Sequence, residues 1–131
     1  MGTHHESGDY SPANLKDLIV QALDENKAEE IEVIDLMGQT SLADYMIIAS
    51  GTSTRQVAAL AGKISEKLQA TSSPVLRVEG LPAADWVVVD CGDVIVHIFR
   101  PEVRVFYSIE KMWNATSPHT AKSSTAAATH A

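Results

Sequence analysis

No apolar run of this 131-residue chain approaches transmembrane length: segments such as Met46 to Ala49 and Trp86 to Val89 fall far short of the roughly 20 residues a bilayer core requires. A membrane span is not expected. The start, MGTHHESGDY, lacks the apolar stretch of a secretory signal and the Arg-rich, acid-poor character of a transit peptide, and Glu6 stands where a myristoylation signal needs Ser or Thr. The expected location is the cytoplasm. The single cysteine, Cys91, cannot make an internal disulfide, which fits a reducing compartment. Basic residues are scarce: 10 Lys and Arg against 17 Asp and Glu leave a net charge of -7, with no basic run to neutralise phosphates. Direct, nonspecific nucleic-acid binding is therefore not expected, and a basic protein is the better charged partner.

With 45% hydrophobic residues the chain can build one real core, so a single domain is expected. Its ends differ. Residues 114–131 carry no apolar side chain larger than alanine except Pro118, too little burial to offset ordering, and are read as a disordered tail, as are residues 1–11. His4, His5, His119 and His130 all lie in these tails, and the His4–His5 pair reads as solvated rather than as a metal site.

The folded unit, 12–113, opens on SPANLKDLIVQAL, where Ser11 suits a helix cap, Pro12 the first helical position, and Leu15, Leu18, Ile19, Ala22 and Leu23 one face. A helix to about Asn26 follows. Residues 31–37 and 44–50 read as strands, the second continuously apolar and therefore buried. At Gly51 the period changes: Ser53 and Gln56 form a capping box, and Val57, Leu60, Ala61, Ile64 and Leu68 make the stripe of a second helix. A short strand over 75–79 and a turn over 80–82 lead into ADWVVVDCGDVIVHIF, residues 84–99. After Pro101, EVRVFYSIEKMW fits a last helix, with Val103, Phe106, Ile109 and Trp113 in line. The order is α-β-β-α-β-β-β-α, without an internal repeat.

If Cys91 and Gly92 form a two-residue hairpin turn, Asp90 faces Asp93, Val88 faces Ile95 and Trp86 faces His97. One sheet face then carries Val87, Val89, Val94, Val96 and Ile98 and packs beneath helices. The other carries Trp86, Val88, Ile95, His97 and Phe99, with Asp90 and Asp93 at its turn end. That residue mix suits either a partner surface or a second buried face with His97 hydrogen-bonded inside. A metal site does not follow: His97 lies four residues along its strand from Asp93, roughly 13 Å at about 3.3 Å per residue. Cys91 reads as structural, because nearby acids raise a thiol pKa and no histidine is within reach. GTSTR, residues 51–55, precedes a helix but lacks the glycine spacing of a phosphate loop. The acids Asp17, Asp24, Glu25, Glu29, Glu30, Glu32 and Asp35 form either a solvated face or a contact for a basic protein.

DYMIIASGTSTRQVAALAGKI, the EG followed by ADWVVVDCGDVIVHIF, and RVFYSIEKMW, in that order, resemble the signature blocks of the ribosomal silencing factor family, also called the Iojap family, over about residues 12–113. The resemblance implies a single-domain α/β fold, nucleotidyltransferase-like, with a mixed five-stranded sheet and helices. It implies no catalytic activity, and no cofactor is expected. It also implies binding to the large ribosomal subunit through the protein numbered fourteen in the universal scheme, on the face that meets the small subunit, so that subunit joining is blocked and translation repressed. Carried over by position, the interface centres on Trp86, Val88, Ile95, His97 and Phe99, with Asp85, Asp90 and Asp93 adding contacts to basic groups. Asp44, Tyr45, Arg55, Glu79, Arg104, Tyr107 and Trp113 fall in the same blocks without an individual role. An exposed aromatic face also suits a homodimer when the protein is free. The alternative is a divergent nucleotidyltransferase-like enzyme using Gly51 to Arg55 with Asp90 or Asp93, although two acids alternating on one strand to hold Mg²⁺ are missing.

Overall fold

The computed structural model describes residues 11–71 and 73–107. The expected tails, apart from Ser11, and the expected helical continuation over 108–113 lie outside the described residues. The elements are α1 (Pro12–Glu25), β1 (Glu29–Asp35), β2 (Tyr45–Ser50), α2 (Thr54–Gln69), β3 (Arg77–Glu79), β4 (Trp86–Asp90), β5 (Val94–Phe99) and α3 (Pro101–Tyr107). Order and number match the sequence reading, and the boundaries move by at most two residues at β1 and β3.

Local chemistry sets both long helices. The Ser11 hydroxyl accepts the Asn14 N–H at 3.3 Å, and Pro12 occupies the first turn, where its missing N–H costs nothing. In α2 the Ser53 hydroxyl accepts from the Gln56 N–H at 3.1 Å. The Gln56 side chain accepts from the Thr52 N–H at 2.6 Å, one residue before the cap, and its amide donates to the Lys27 carbonyl at 3.2 Å. Gln56 thus ties the start of α2 to the end of α1 as well as closing the cap.

The five strands form one mixed sheet in the order β1-β2-β5-β4-β3, antiparallel throughout except for the parallel β2–β5 pair. The parallel pair is central, and α2, which follows β2, crosses one face of the sheet. On that face α1 and α2 lay Leu15, Ile19, Leu23, Val57, Leu60, Ile64 and Leu68 against Ile47, Ala49, Val87, Val89, Val94, Val96 and Ile98. The five hairpin residues named here are all 0% exposed, as their alternation predicts.

The other face holds a smaller cluster of Ile34, Leu36, Ala43, Met46, Ile48 and Phe99, with Trp86, Ile95 and Val103 packed at its border. Its cover among the described residues comes from the β1–β2 connection and α3. Arg104 fixes α3 there. Only 4% exposed, it donates to the Glu30 carbonyl and the Ser50 hydroxyl, both at 2.8 Å, with the Glu30 and Glu32 carboxylates each 4.0 Å away. A register shift between Glu29 and Glu32, with Glu30 at φ 49°, marks a bulge in β1 at the carbonyl that Arg104 takes up. Arg104, which the sequence left without a role, is a scaffold residue.

Candidate functional site

The hairpin register differs from the expected one. Trp86 pairs with Phe99, Val88 with His97 and Asp90 with Ile95, and the Cys91 N–H donates to the Val94 carbonyl at 2.9 Å. The turn residues are therefore Gly92 and Asp93, not Cys91 and Gly92. Gly92 has φ +88°, which a glycine adopts freely, and the Asp90 carboxylate accepts its N–H at 2.9 Å. The offset is two residues, and because side chains alternate with period two, every residue keeps its predicted face. Cys91 joins the helix-side core at 5% exposure, where burial first and the Asp90 charge second push its thiol up to about 12. It is a protected thiol, not a nucleophile.

Trp86, Val88, Ile95 and His97 share the second sheet face and are each half-buried. Phe99 lies on the same face but is 0% exposed, which corrects its expected place at the surface. The β1–β2 connection and the first turn of α3 close over it, with Leu36, Ala43 and Val103 in the same cluster. The Trp86 ring stacks on Phe99 at 5.0 Å and 24°, and His97 stacks on Phe99 at 6.0 Å and 16°. The Trp86 indole N–H donates to His97 Nδ1 at 2.9 Å. Three rings are locked together, with Trp86 and His97 still reaching the surface.

Burial lowers the His97 pKa from 6.5 to about 4, so the ring is neutral at physiological pH. Neutrality matters because an imidazolium has no acceptor at Nδ1 and could not receive the indole proton. The charged groups on this face, Glu32 on β1, Arg77 and Glu79 on β3, and Asp90 at the end of β4, ring the aromatic cluster, with Arg104 reaching in from α3.

The three aspartates expected at the interface divide. Asp85 is exposed and accepts from Arg100 Nε at 2.9 Å, and Arg100 also meets Glu102 at 2.6 Å. Asp90 is half-buried, capping the turn and lying 3.7 Å from Arg77. Asp93 is exposed, and its carboxylate makes no ion pair with a described residue. Among the described residues no cluster of His, Cys, Asp and Glu could hold a metal ion. Nor does the fold unite the parts of the enzyme alternative. The Gly51 N–H bonds to the Phe99 carbonyl, while Asp90 pairs with Ile95 at the other end of β5, roughly 13 Å of strand away.

One feature of the site escaped sequence reasoning. A Cβ on Gly80, at φ +105°, would overlap the Trp86 carbonyl oxygen, so the β3–β4 turn folds directly over the backbone of the aromatic anchor. The Gly-Leu-Pro signature predicts a turn there, but not what the turn rests on. Among the described residues no helix is long and apolar enough to cross a membrane.

Comparison with known proteins supplies the family. The family model described as "Ribosomal silencing factor during starvation" matches residues 9–131, which extends past the blocks that carry the sequence resemblance. Ribosomal silencing factor RsfS of Zymomonas mobilis is 52% identical over 104 residues, covering 79% of this chain and 78% of that one. A mouse protein named "Mitochondrial assembly of ribosomal large subunit protein 1" is 36% identical over 77% of this chain and 46% of its own length. The crystal structure of a Chromobacterium violaceum protein superposes with a TM-score of 0.77 at 38% identity, covering 79% of this chain and 87% of that one. With a family model matched over almost its whole length, the chain belongs to the ribosomal silencing factor family.

Proposed function

We propose that the protein binds the large ribosomal subunit through the second sheet face and, by occupying the surface that the small subunit must meet, represses translation. The observation that carries this is the half-buried cluster of Trp86, Val88, Ile95 and His97, backed by the buried Phe99 ring, on the sheet face that the two long helices leave open. A large aromatic side chain held rigid at a partly desolvated surface is the usual anchor of a protein interface. The relatives' names, with their ribosomal silencing and large-subunit assembly, support the choice of partner.

The chemistry of the rim agrees with a basic target. Asp85 and Asp90, each beside an arginine, and the exposed Asp93 belong to a chain of net charge -7, which favours encounter with a basic ribosomal protein, here the one numbered fourteen in the universal scheme. The same charge disfavours direct binding to RNA phosphates. Action is by steric exclusion in the cytoplasm, without a cofactor or a catalytic step, on a fold of nucleotidyltransferase type. When the protein is free, the same aromatic face pairs two copies, and that homodimer competes with ribosome binding.

The test is co-sedimentation with isolated large subunits. Wild type should pellet at micromolar concentration and block joining of added small subunits, while Trp86→Ala should remain in the supernatant with its circular dichroism intact. Val88→Asp, a second change on the same face, guards against a folding defect in the first. Absence of wild type from the pellet would remove the proposed function. Sedimentation velocity of wild type against Trp86→Ala tests the homodimer, which is wrong if both run as monomers.

A further inference from the structure

The geometry points to His97 as a positioning residue, one that serves partner binding by fixing the Trp86 indole rather than by touching the partner itself. The inference rests on the reading of this face as the binding surface, and it replaces the expected role of His97 as a contact residue.

Three observations carry it. The indole N–H has a definite acceptor, His97 Nδ1, at 2.9 Å. The two residues are diagonal neighbours across β4 and β5, since Trp86 pairs with Phe99 and His97 with Val88, so the bond crosses the ladder and selects one orientation of the indole about its side-chain torsions. Phe99, directly across from Trp86 and two residues along β5 from His97, stacks on both rings and limits the remaining freedom to tilt. An indole free to rotate would have to be ordered on binding, and ordering a large side chain weakens association. Here the ordering is already done. His97 is suited to the task because a neutral imidazole offers one lone pair in the ring plane, and its half-buried position keeps competing water from that acceptor.

The chain contains two tryptophans, so ¹⁵N-indole spectra of the full-length protein give two side-chain resonances, and Trp113→Phe assigns Trp86. In wild type the Trp86 indole proton should exchange with solvent much more slowly than in the urea-unfolded chain. Exchange at the unfolded rate would show that the bond does not hold the ring, and would overturn the inference without any mutant. His97→Phe keeps an aromatic ring over Phe99 but removes the acceptor. It should melt close to wild type, lose the slow exchange, and bind large subunits about tenfold more weakly, the effect of one hydrogen bond. His97→Asn places an amide oxygen near the Nδ1 position and should restore both slow exchange and affinity. Wild-type affinity in folded His97→Phe, or a folded His97→Asn that regains neither signal, would overturn the role. Failure of wild type itself to pellet would instead overturn the reading of the face on which the inference stands, and the exchange measurement keeps the two failures apart.

Discussion

The two faces of the sheet use the same strands to opposite ends. On the helix face, Val87, Val89, Val94, Val96 and Ile98 are β-branched aliphatics, all fully buried under α1 and α2. One position along each strand, the open face carries Trp86, Val88, Ile95 and His97, larger or more polar on balance and only half-buried. Under the proposed function, stability and recognition are thereby separated by a single step of the backbone. The closed face needs shape that fills space, and aliphatic side chains supply it at roughly 1.5–3 kcal/mol for each one fully buried. The open face needs an apolar surface that stays rigid in water, and stacked rings joined by a hydrogen bond provide that. Phe99 stands between the two: it lies on the open face but is buried there, stacked against both half-buried rings.

The sharpest way to break this contrast is a cavity on the closed face. Ile98→Ala should lose about 3–4 kcal/mol in urea unfolding, while large-subunit binding at temperatures where the variant is folded stays near wild type. A large loss of binding at full folding would mean that the faces are not independent. Next in size, Trp86→Ala should reverse the pattern, costing at least about 2 kcal/mol of binding, some 30-fold, and less than that in stability.

The pH response of stability isolates the open face further. Because the folded pKa of His97, about 4, lies below its ordinary 6.5, the unfolded chain binds the extra proton between those values. The contribution from neutral His97 is full above about pH 6.5, declines as pH falls toward 4, and is gone below. The full shift corresponds to about 3 kcal/mol, and partial exposure of the residue brings the expected difference to about 1–3 kcal/mol. Urea titrations of wild type and His97→Asn across pH 7 to 4 should diverge by that amount, and parallel curves would rule it out. Smallest of all, Asp93→Asn removes an exposed charge that makes no ion pair among the described residues. It should change stability by less than about 0.5 kcal/mol while making subunit binding slightly weaker and less sensitive to salt. An unchanged salt dependence would take Asp93 out of the interface.

Much of this arrangement was legible in the sequence because it depends on neighbours along the chain. Ser11 with Pro12 and Ser53 with Gln56 mark helix starts through hydrogen bonds three residues long. The alternation of Val87, Val89, Val94, Val96 and Ile98 assigns faces without any knowledge of partners. The turn was less legible, because Cys91, Gly92 and Asp93 are all compatible with a reversal, and the choice depends on Asp90 capping the Gly92 N–H and on the Asp44 N–H, just ahead of β2, reaching the Asp93 carbonyl. A two-residue error in register left the faces right and only the pairs wrong.

The depth of Phe99 and the duty of Arg104 were not legible at all. Both follow from α3 docking on β1 and β2, through hydrogen bonds that join residues 54 and 74 positions apart. No local pattern announces such a contact. The site was read in the same uneven way: Trp86 and its companions fall on a predictable face, whereas the pairing of indole with imidazole needs the true register.

The lone cysteine turns the helix face into its own recorder. With its thiol pushed up to about 12 and its side chain 5% exposed, Cys91 should be silent toward alkylating reagents in the native protein and reactive once α1 and α2 lift from the sheet. The chain has no second thiol to confuse the signal. A simple mass-shift assay on unmodified protein therefore clocks the opening of one layer, and can follow it with and without added large subunits.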